Sequence, residues 1–318
     1  MSPTARRGAL LAAFACCLVG ASFTANSALV DYPHAGGQAL RYGLAAVLML
    51  PLVAREAPVR LRALPPRLWV RTAVLAAVGM VGFNLAVLAA ERTAEPAVPG
   101  VFVGCAPVVA AVLVPLLDGR RPGRAGLGAA TLVAAGALVV QGWGRTDAAG
   151  VLWSLAALGG ELGFALIAVP VLRVLGPRLL TTLACAFAAL EATVLGLLWD
   201  GSAWLRVPAG SEAVALLWQA TVVTVLGFVC WYAAVQRIGA ERAVLFAGLI
   251  PVSAALTSAL LGAGGYGLAQ AGGSALVAAG VLAGCGVRRG PAARPDPPAG
   301  DRAAEPDPRR RPTPTGEG

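Results

Sequence analysis

The chain has 318 residues, of which 58% are hydrophobic and only 13% are charged, and its mean hydropathy is +0.74. Soluble domains carry about 25% charged residues to cover their surfaces, so this composition excludes two ordinary soluble domains and favours a protein dissolved in lipid. The net charge of +9 comes from 25 basic residues, all of them Arg. They lie in connecting segments and tails, which points to membrane topology and argues against a nucleic-acid partner.

Uncharged apolar runs of about 20 residues, the length that crosses a bilayer, follow one another along the chain. The clean runs are 8–30, 72–90, 96–117, 125–144 and 213–236. Three more are interrupted by a single charge: 35–54 by Arg41, 148–172 by Glu161 and 179–199 by Glu191. The charge-free stretch 243–287 is long enough for two spans, which the glycine-rich residues 262–267 separate. The sequence therefore predicts an all-α integral membrane protein with ten transmembrane helices.

Arginine distribution predicts the orientation of these helices. With the N-terminus in the cytoplasm, 21 Arg fall on the cytoplasmic side, and only Arg92, Arg145 and Arg206 fall outside. Basic residues favour the cytoplasmic side of membrane proteins, so we expect a multi-pass protein of the bacterial inner membrane with both termini cytoplasmic. Residues 288–318 are rich in Pro, Arg and Asp, a composition typical of a disordered tail.

The two halves of the chain resemble each other. Residues 132–136, with the sequence LVAAG, recur as residues 276–280, an offset of 144. Pro107 matches Pro251 at the same offset, and Gly82-Phe83 matches Gly227-Phe228 at an offset of 145. We therefore expect two five-helix repeats, residues 8–142 and 148–287. An odd number of helices per repeat inverts the second copy, an arrangement common in secondary transporters.

The end of the eighth predicted helix carries a motif that resembles a known family. The run WYAAVQRIGAERA at 231–243, followed by Pro251-Val252, is similar to EamA-type transporters of the drug/metabolite transporter superfamily. The element Leu40-Arg41-Tyr42 is similar to that family's first-half pattern. The resemblance covers residues 8–287 and implies a ten-helix carrier that moves small metabolites or drugs, commonly outward.

Three ionisable residues lie inside predicted spans: Arg41, Glu161 and Glu191. Charges within the bilayer are costly and mark functional interiors. Glu161 and Glu191 are each 15 residues from Gly176, the expected turn of a hairpin, so we expect them at equal depth, repelling each other and supporting proton coupling. Two structural alternatives stay open: Glu161 as a neutral hydrogen-bonded link between helices, and Arg41 as a clamp on backbone carbonyls.

Other polar and aromatic residues are candidates for the lining of a substrate cavity. They are Asn26, Asn84, Trp153 and Trp231, with Ser22, Gln219, Thr221, Thr224 and Ser253. Pro107 and Pro251 are candidate gating residues, since each interrupts a helix at the corresponding place in its repeat.

The sequence contains no catalytic motif of an intramembrane enzyme. The single histidine, His34, is expected in an outer loop, and the six cysteines lack metal-ligand spacing. We expect no metal and no cofactor. The best hypothesis is a secondary active transporter that works by alternating access, with a small-molecule substrate and the lipid bilayer as partners. An intramembrane lipid-processing enzyme or a channel is the alternative, and the choice between monomer and homodimer stays open.

Overall fold

A computed structural model describes residues 2–22, 27–29, 31–94, 97–142, 145–262 and 265–286. These residues form helices and connecting segments, without a β-strand among them. Within the described ranges, ten helices are long and apolar enough to cross a membrane, which confirms the predicted fold class. They are α1 (Pro3–Ala21), α2 (His34–Val53), α3 (Pro66–Ala90), α4 (Val98–Leu117), α5 (Arg124–Gln141), α6 (Ala148–Leu166), α7 (Ala168–Trp199), α8 (Gly210–Ile238), α9 (Ala240–Leu260) and α10 (Leu268–Gly286). The expected tail 288–318 and Asn26 lie outside the described residues.

Several helices extend beyond the apolar runs that predicted them. α1 begins at Pro3, where the Ser2 hydroxyl accepts a hydrogen bond from the Ala5 N–H at 3.2 Å, so Arg6 and Arg7 are helical. α3 begins at Pro66 and includes Arg67 and Arg71. Arginine has a long aliphatic stem that lets its charge reach the membrane surface, so a span can include a terminal arginine that a charge-free search leaves out.

The range given for α7 contains a turn at Gly176, so residues 168–175 continue from α6 and the segment of α7 that crosses back begins at Pro177. The Gly176 backbone has φ 74° and ψ 172°, outside helical values, and Pro177 begins the next helical segment with no N–H to donate. The residues before Gly176 are helical, apart from a break at Ile167, where Pro170 cannot donate to the Leu166 carbonyl. Arg60 donates to the Leu175 carbonyl at 2.9 Å and closes this helix end. The turn is where the sequence predicted it.

Helices α3 and α8 contain the same irregularity. Residues Ala77–Gly82 of α3 and Gln219–Gly227 of α8 are π-helical, and each segment ends immediately before a phenylalanine, Phe83 or Phe228. π-Helical segments are rare and occur frequently at functional sites. The two segments lie at the Gly-Phe positions that match between the halves of the sequence.

Helices α4 and α9 are each interrupted just before a buried proline. In α4 the helix breaks at Cys105, two residues before Pro107. In α9 a 3₁₀ segment, Leu245–Gly248, precedes Pro251. Proline has no N–H for the carbonyl four residues earlier, so each break follows from the local sequence.

Helices α5 and α10 pack antiparallel through glycine contacts. A Cβ on Gly136 would lie 2.6 Å from the Gly273 carbonyl oxygen and 2.7 Å from the Val277 nitrogen. A Cβ on Gly280 would lie 2.7 Å from the Ala129 oxygen and 2.8 Å from the Val133 nitrogen. Gly136 and Gly280 are 144 residues apart in the sequence, and so are Val133 and Val277. Gly136 contacts Val277, and Gly280 contacts Val133, so the two contacts are equivalent.

The surface of the helical region is apolar. Leu198, Leu260 and Leu282 expose 74%, 85% and 74% of their area, respectively. Exposing apolar surface to water costs about 25 cal/mol per Å², whereas lipid tails solvate it. The exposed leucines agree with a bilayer as the surrounding solvent.

Successive helices run in opposite directions between two ends of the molecule. Helices α2, α4, α6, α8 and α10 begin at the end that contains Tyr32, which we call the Tyr32 end. Helices α1, α3, α5, α7 and α9 begin at the opposite end, which we call the Arg120 end.

Candidate functional site

A group of polar and aromatic side chains lies in the interior, and we call it the central cluster: Cys16, Arg41, Tyr42, Asn84, Glu161, Cys185, Thr224 and Tyr232. It joins α2 to the π-helical part of α8, since the Arg41 Nε donates to the Thr224 hydroxyl at 2.8 Å across 183 residues of sequence. The guanidinium carbon also lies 5.1 Å from the centroid of the Tyr42 ring, a cation–π distance. Arg41 thus anchors α2 against α8.

Asn84 connects this pair to α3. Its Nδ2 donates to the Tyr42 hydroxyl at 3.2 Å and to the Met80 carbonyl at 2.7 Å. Met80 belongs to the π-helical segment of α3. Asn84 therefore links the backbone of that segment to Tyr42 of the cluster through its two hydrogen bonds. The structure places this predicted residue inside, where a buried amide needs such partners.

Glu161 reaches the cluster from α6. Its carboxyl interacts electrostatically with Tyr232 of α8 and Cys16 of α1. The glycines beside it serve packing: a Cβ on Gly160 would lie 3.0 Å from the Phe83 Cβ, and one on Gly163 would lie 3.1 Å from Val78. Glycine therefore brings α6 against α3, while the intervening Glu161 lies near α1 and α8.

Two buried polar atoms of α8 have no hydrogen-bond partner. They are the Tyr232 hydroxyl and the Trp231 Nε1, on side chains that are 0% and 6% exposed. Phe164 packs beside Tyr232, and the centroid of its ring lies 5.1 Å from that of Tyr232 and 4.8 Å from that of Phe228. Nearly all buried polar groups in proteins are paired, so an unpaired Tyr232 hydroxyl that interacts with the Glu161 carboxyl is a feature of a binding site.

Glu191 lies apart from Glu161. One of its carboxylate oxygens is buried without a hydrogen-bond partner, and no electrostatic interaction joins the two glutamates. Neither carboxylate is within ion-pair distance of Arg41 among the described residues. The expected mutual repulsion is therefore wrong: equal distance from the turn does not bring the two carboxyls together.

The remaining predicted site residues divide between inside and outside. Trp231 is buried. Trp153 is 48% exposed next to exposed Leu152, so the structure places it outside the central cluster. Pro107 and Pro251 are buried beside the helix breaks in α4 and α9, and their gating role stays a prediction.

Sequence reasoning missed several residues. His34 was expected in a loop but is the first residue of α2, and its Nε2 is buried without a partner, as is the Oε1 of Gln38 one turn later. Tyr42 and Tyr232 join the cluster although neither carries a charge, and they lie beside the predicted cavity residue Thr224 or on the same helix. A signal for His34 and Gln38 is present in the sequence: His34, Gln38 and Arg41 recur every three to four residues, which is the period of one helix face.

The Tyr32 end is closed by a group of contacts that we call the Tyr32 tie. The Tyr32 hydroxyl donates to the Arg206 carbonyl, and the Arg206 guanidinium lies 4.7 Å from the Tyr32 ring centroid. Arg206 donates to both carboxylate oxygens of Glu212, and this bonding raises the pKa of Arg206. Burial raises the pKa of the Tyr32 phenol. The tie joins the α1–α2 connection to the α7–α8 connection.

The Arg120 end has a simpler contact, which we call the Arg120 tie. Arg120, in the α4–α5 connection, lies 2.9 Å from an Asp118 oxygen and 3.5 Å from a Glu241 oxygen at the start of α9. Its hydrogen bond to Asp118 raises the pKa of Arg120. Both ties join the first half of the chain to the second.

The fold and its interior cluster define an all-α integral membrane protein with a polar centre. Residues 6–141 match the model of the EamA-like transporter family. This confirms the resemblance over that part of the chain and supports a membrane transporter consistent with the drug/metabolite transporter superfamily.

A solved crystal structure superposes with a TM-score of 0.72 at 21% identity, covering 87% of this chain and 96% of that chain. At this identity, the similarity shows the fold alone. No curated protein matches the chain. Among the described residues, no group of three or more His, Cys, Asp or Glu is arranged to hold a metal ion.

Proposed function

We propose that the chain is a secondary active transporter that exports a small metabolite or drug by alternating access, with Glu161 as its proton-coupling residue. The observation that carries the proposal is the central cluster. It combines one carboxyl, one guanidinium and one unpaired buried hydroxyl with aromatic rings. Sparse polar groups among apolar and aromatic side chains are typical of small-molecule sites.

The repeats are the second element of the proposal. We infer that residues 8–142 and 148–287 are inverted repeats related by a two-fold axis in the membrane plane. The glycine contacts of α5 and α10 support these repeats. In a contact around a two-fold axis, if one residue touches a second, then the equivalent of the second touches the equivalent of the first. The π-helical segments of α3 and α8 and the proline breaks of α4 and α9 occur at equivalent places.

Alternating access follows from this arrangement. One tie closes each end, and each tie joins the two halves. We infer that opening the Arg120 tie exposes the central cluster to one side, and opening the Tyr32 tie exposes it to the other. The arginine asymmetry of the sequence places the Arg120 end in the cytoplasm.

Glu161 is the better candidate for coupling because it belongs to the cluster. A low-dielectric interior disfavours the charged form of a carboxyl, so a carboxyl there can take up a proton and release it again during transport. Glu191 has no electrostatic interaction with a member of the cluster among the described residues, so we assign it no coupling role. If the proton and the substrate compete for Glu161, uptake of a proton from outside releases the substrate there.

A flux experiment tests the proposal. A thermal-shift competition screen over amino acids, sugar nucleotides, polyamines and drugs first identifies a ligand of the purified chain. In proteoliposomes, the wild type should show saturable, pH-gradient-driven flux and counterflow of that ligand. Glu161→Gln should lose the gradient-driven flux and keep counterflow, while Glu191→Gln, the matched control, should keep both.

Other outcomes would favour the alternatives. Non-saturating flux without counterflow would indicate a channel, and chemical conversion of the ligand would indicate an enzyme. Gradient-driven flux that survives in folded Glu161→Gln would place coupling elsewhere. Reporter fusions at Asp147 and Gly290 test the orientation, and we expect them outside and inside, respectively.

A further inference from the structure

One face of α3 is exposed through the first half of the helix and changes from charged to apolar. The exposed residues are Arg67, Val70, Arg71, Val74 and Val78. They are three or four residues apart, so they form one stripe along the helix. The arginines lie near the start of α3, at the Arg120 end, and Val74 and Val78 continue the stripe towards the middle of the span. A phospholipid has the same order of groups, with a charged head followed by apolar chains.

The end of α6 forms the second wall of a groove beside this stripe. The Arg71 Nε donates to the Ile167 carbonyl at 2.9 Å, and a Cβ on Gly163 would lie 3.1 Å from Val78. Val174, seven residues after Ile167 and so on the same face, exposes 45% of its area. The two elements thus pack side by side, with a groove between them on the exposed surface. We call it the Arg71 groove, and it consists of Arg67, Arg71, Val74, Val78, Ile167 and Val174.

The two arginines of the groove have no acidic partner. Among the described residues, neither Arg67 nor Arg71 forms an ion pair, and the Arg71 Nη atoms form no hydrogen bond. The two residues are four apart, and like charges at this spacing repel each other. Arg71 is five residues after Pro66, about 8 Å along the helix, where an unpaired charge that faces lipid is costly. An anion that bonds to both guanidiniums offsets this repulsion and supplies the missing charge.

The segments next to the Arg71 groove are basic. The α2–α3 connection and the residues around the Gly176 turn add Arg55, Arg60, Arg62, Arg173 and Arg178. Glu56 is the acidic residue of these segments, and Arg60 lies 3.3 Å from its carboxylate. Arg60 also donates to the Leu175 carbonyl and so holds the connection against the turn. Clusters of about four to eight basic residues beside a membrane helix attract anionic lipid headgroups.

Trp69 indicates that the arginine pair lies at the level of the lipid headgroups. It lies between Arg67 and Arg71 in the sequence, and its ring meets the Phe187 ring of α7 edge to face, with centroids 6.3 Å apart. Tryptophan is enriched at the membrane–water interface. The phosphate of a lipid is therefore within reach of the two guanidiniums, whereas its acyl chains lie at the depth of the valines.

We propose that the Arg71 groove is a binding site for an anionic phospholipid, with the phosphate between Arg67 and Arg71 and an acyl chain along the valines. The valines favour a lipid over free phosphate, because an acyl chain covers them and free phosphate does not. The surrounding arginines favour an anionic head over a zwitterionic one, since they repel the cation of a choline headgroup. Binding at this groove does not depend on the transport role of the chain.

Native mass spectrometry of the purified full chain in detergent tests the preference for the headgroup. Phosphatidylglycerol and phosphatidylcholine with the same acyl chains are added in equal amounts. The wild type should retain about tenfold more phosphatidylglycerol than phosphatidylcholine, because two guanidiniums contact the anionic head. The double variant Arg67→Gln, Arg71→Gln should lose most of this preference. Equal retention of the two lipids by the wild type would overturn the proposal.

The matched control removes the same charge from the same end of the molecule. Arg121→Gln, Arg124→Gln changes two exposed arginines at the start of α5 and should keep the wild-type preference. An equal loss in both double variants would show that net charge, and not the groove, attracts the lipid, and the site would be refuted.

A single variant guards against misfolding of the double variant. Arg67 forms no side-chain hydrogen bond or ion pair among the described residues, so Arg67→Gln should fold and should lower the preference about threefold. An unchanged preference would contradict the site. Glycerol phosphate at the concentration of the lipid should not compete with phosphatidylglycerol, and full competition would assign the groove to a free phosphate ester instead.

Photocrosslinking tests where the acyl chain lies. Phosphatidylglycerol with a diazirine on one acyl chain is added at a low mole fraction to phosphatidylcholine vesicles that contain the protein. Crosslinks to Val74 and Val78 should exceed those to Leu282, a leucine of α10 that is 74% exposed, by about tenfold. This excess should disappear in Arg67→Gln, Arg71→Gln and should be absent with diazirine phosphatidylcholine. Equal crosslinking of phosphatidylglycerol to the valines and to Leu282 in the wild type would overturn the placement in the groove.

Discussion

The two ends of the molecule are closed by different chemistry. At the Tyr32 end, Arg206 combines a bidentate ion pair with Glu212, a cation–π contact with Tyr32 and a backbone contact. At the Arg120 end, Arg120 forms ion pairs with two partly exposed carboxylates, Asp118 and Glu241. The pair with Glu241 joins the halves, and its N–O distance is 3.5 Å. The contacts that join the halves at the Tyr32 end are the Tyr32 hydrogen bond and the cation–π contact, made by an arginine that Glu212 holds in place. At the Arg120 end, one partly exposed ion pair joins the halves, and such pairs contribute about 0–1 kcal/mol. The Arg120 end should therefore open more readily.

The largest effect is expected from Arg206→Ala. The substitution removes the cation–π contact between the halves, and it also removes the ion pair with Glu212 that holds the Arg206 segment in place, so the Tyr32 end should open. The native, buried Cys16 of the central cluster reports opening: its labelling by an impermeant maleimide from the Tyr32 side should rise about tenfold. Arg92→Ala, an exposed arginine near the same end, is the control. Unchanged labelling would mean that the tie does not close this end.

A smaller effect at the same end is expected from Tyr32→Phe. The ring stays beside Arg206, and only the hydrogen bond to the Arg206 carbonyl is lost. A hydrogen bond contributes about 1 kcal/mol, or roughly fivefold in an equilibrium, so labelling of Cys16 should rise by about that factor. An effect as large as that of Arg206→Ala would show that the hydroxyl, and not the guanidinium, closes the end.

At the Arg120 end, Glu241→Gln should raise labelling of Cys16 only about two- to threefold, because exposed ion pairs contribute little. The difference from wild type should shrink at high salt, which screens exposed charges. Glu56→Gln is the matched control, since its pair with Arg60 lies within one half. A response larger than that of Arg206→Ala would reverse the order of the two ends.

Acid should weaken the Tyr32 end slightly through Asp147. The Gly150 N–H and the Thr93 side chain lower the pKa of Asp147 below 3.8. A carboxyl with a lowered pKa contributes stability above its ordinary pKa and loses it as the pH falls through the lowered value. The melting temperature of wild type should therefore fall more steeply below about pH 4 than that of Asp147→Asn. Parallel curves would contradict this role.

The span pattern could be predicted from the sequence because lipid imposes it. About 20 apolar residues must cross the bilayer with every backbone group paired, and the turn at Gly176 follows from Gly-Pro chemistry. Helix ends that carry arginine were placed too far inward, as in α1 and α3. The family resemblance rested mostly on residues 231–243 and 251–252 and, in the first half, on Leu40-Arg41-Tyr42, whereas the family match covers residues 6–141.

The site was harder to predict because depth and direction are different quantities. Counting residues from Gly176 gives the depth of Glu161 and Glu191, but each residue also turns by about 100° around its helix. That rotation places Glu161 in the cluster and leaves Glu191 outside it. The Arg41–Thr224 bond depends on how α2 and α8 pack, and local sequence does not contain that information.

The central claim is that the halves alternate between openings at the two ends, with the Arg120 end the weaker. Spin-label distances measured across both ends in lipid vesicles test it most directly. One pair joins Ala28 to Val207, near the Tyr32 tie, and the other joins Gly123 to Gln236, near the Arg120 tie. We expect a narrow distribution for the first pair and an added longer distance for the second, with Arg206→Ala broadening the first. A single narrow distance at both ends in every variant would contradict the account.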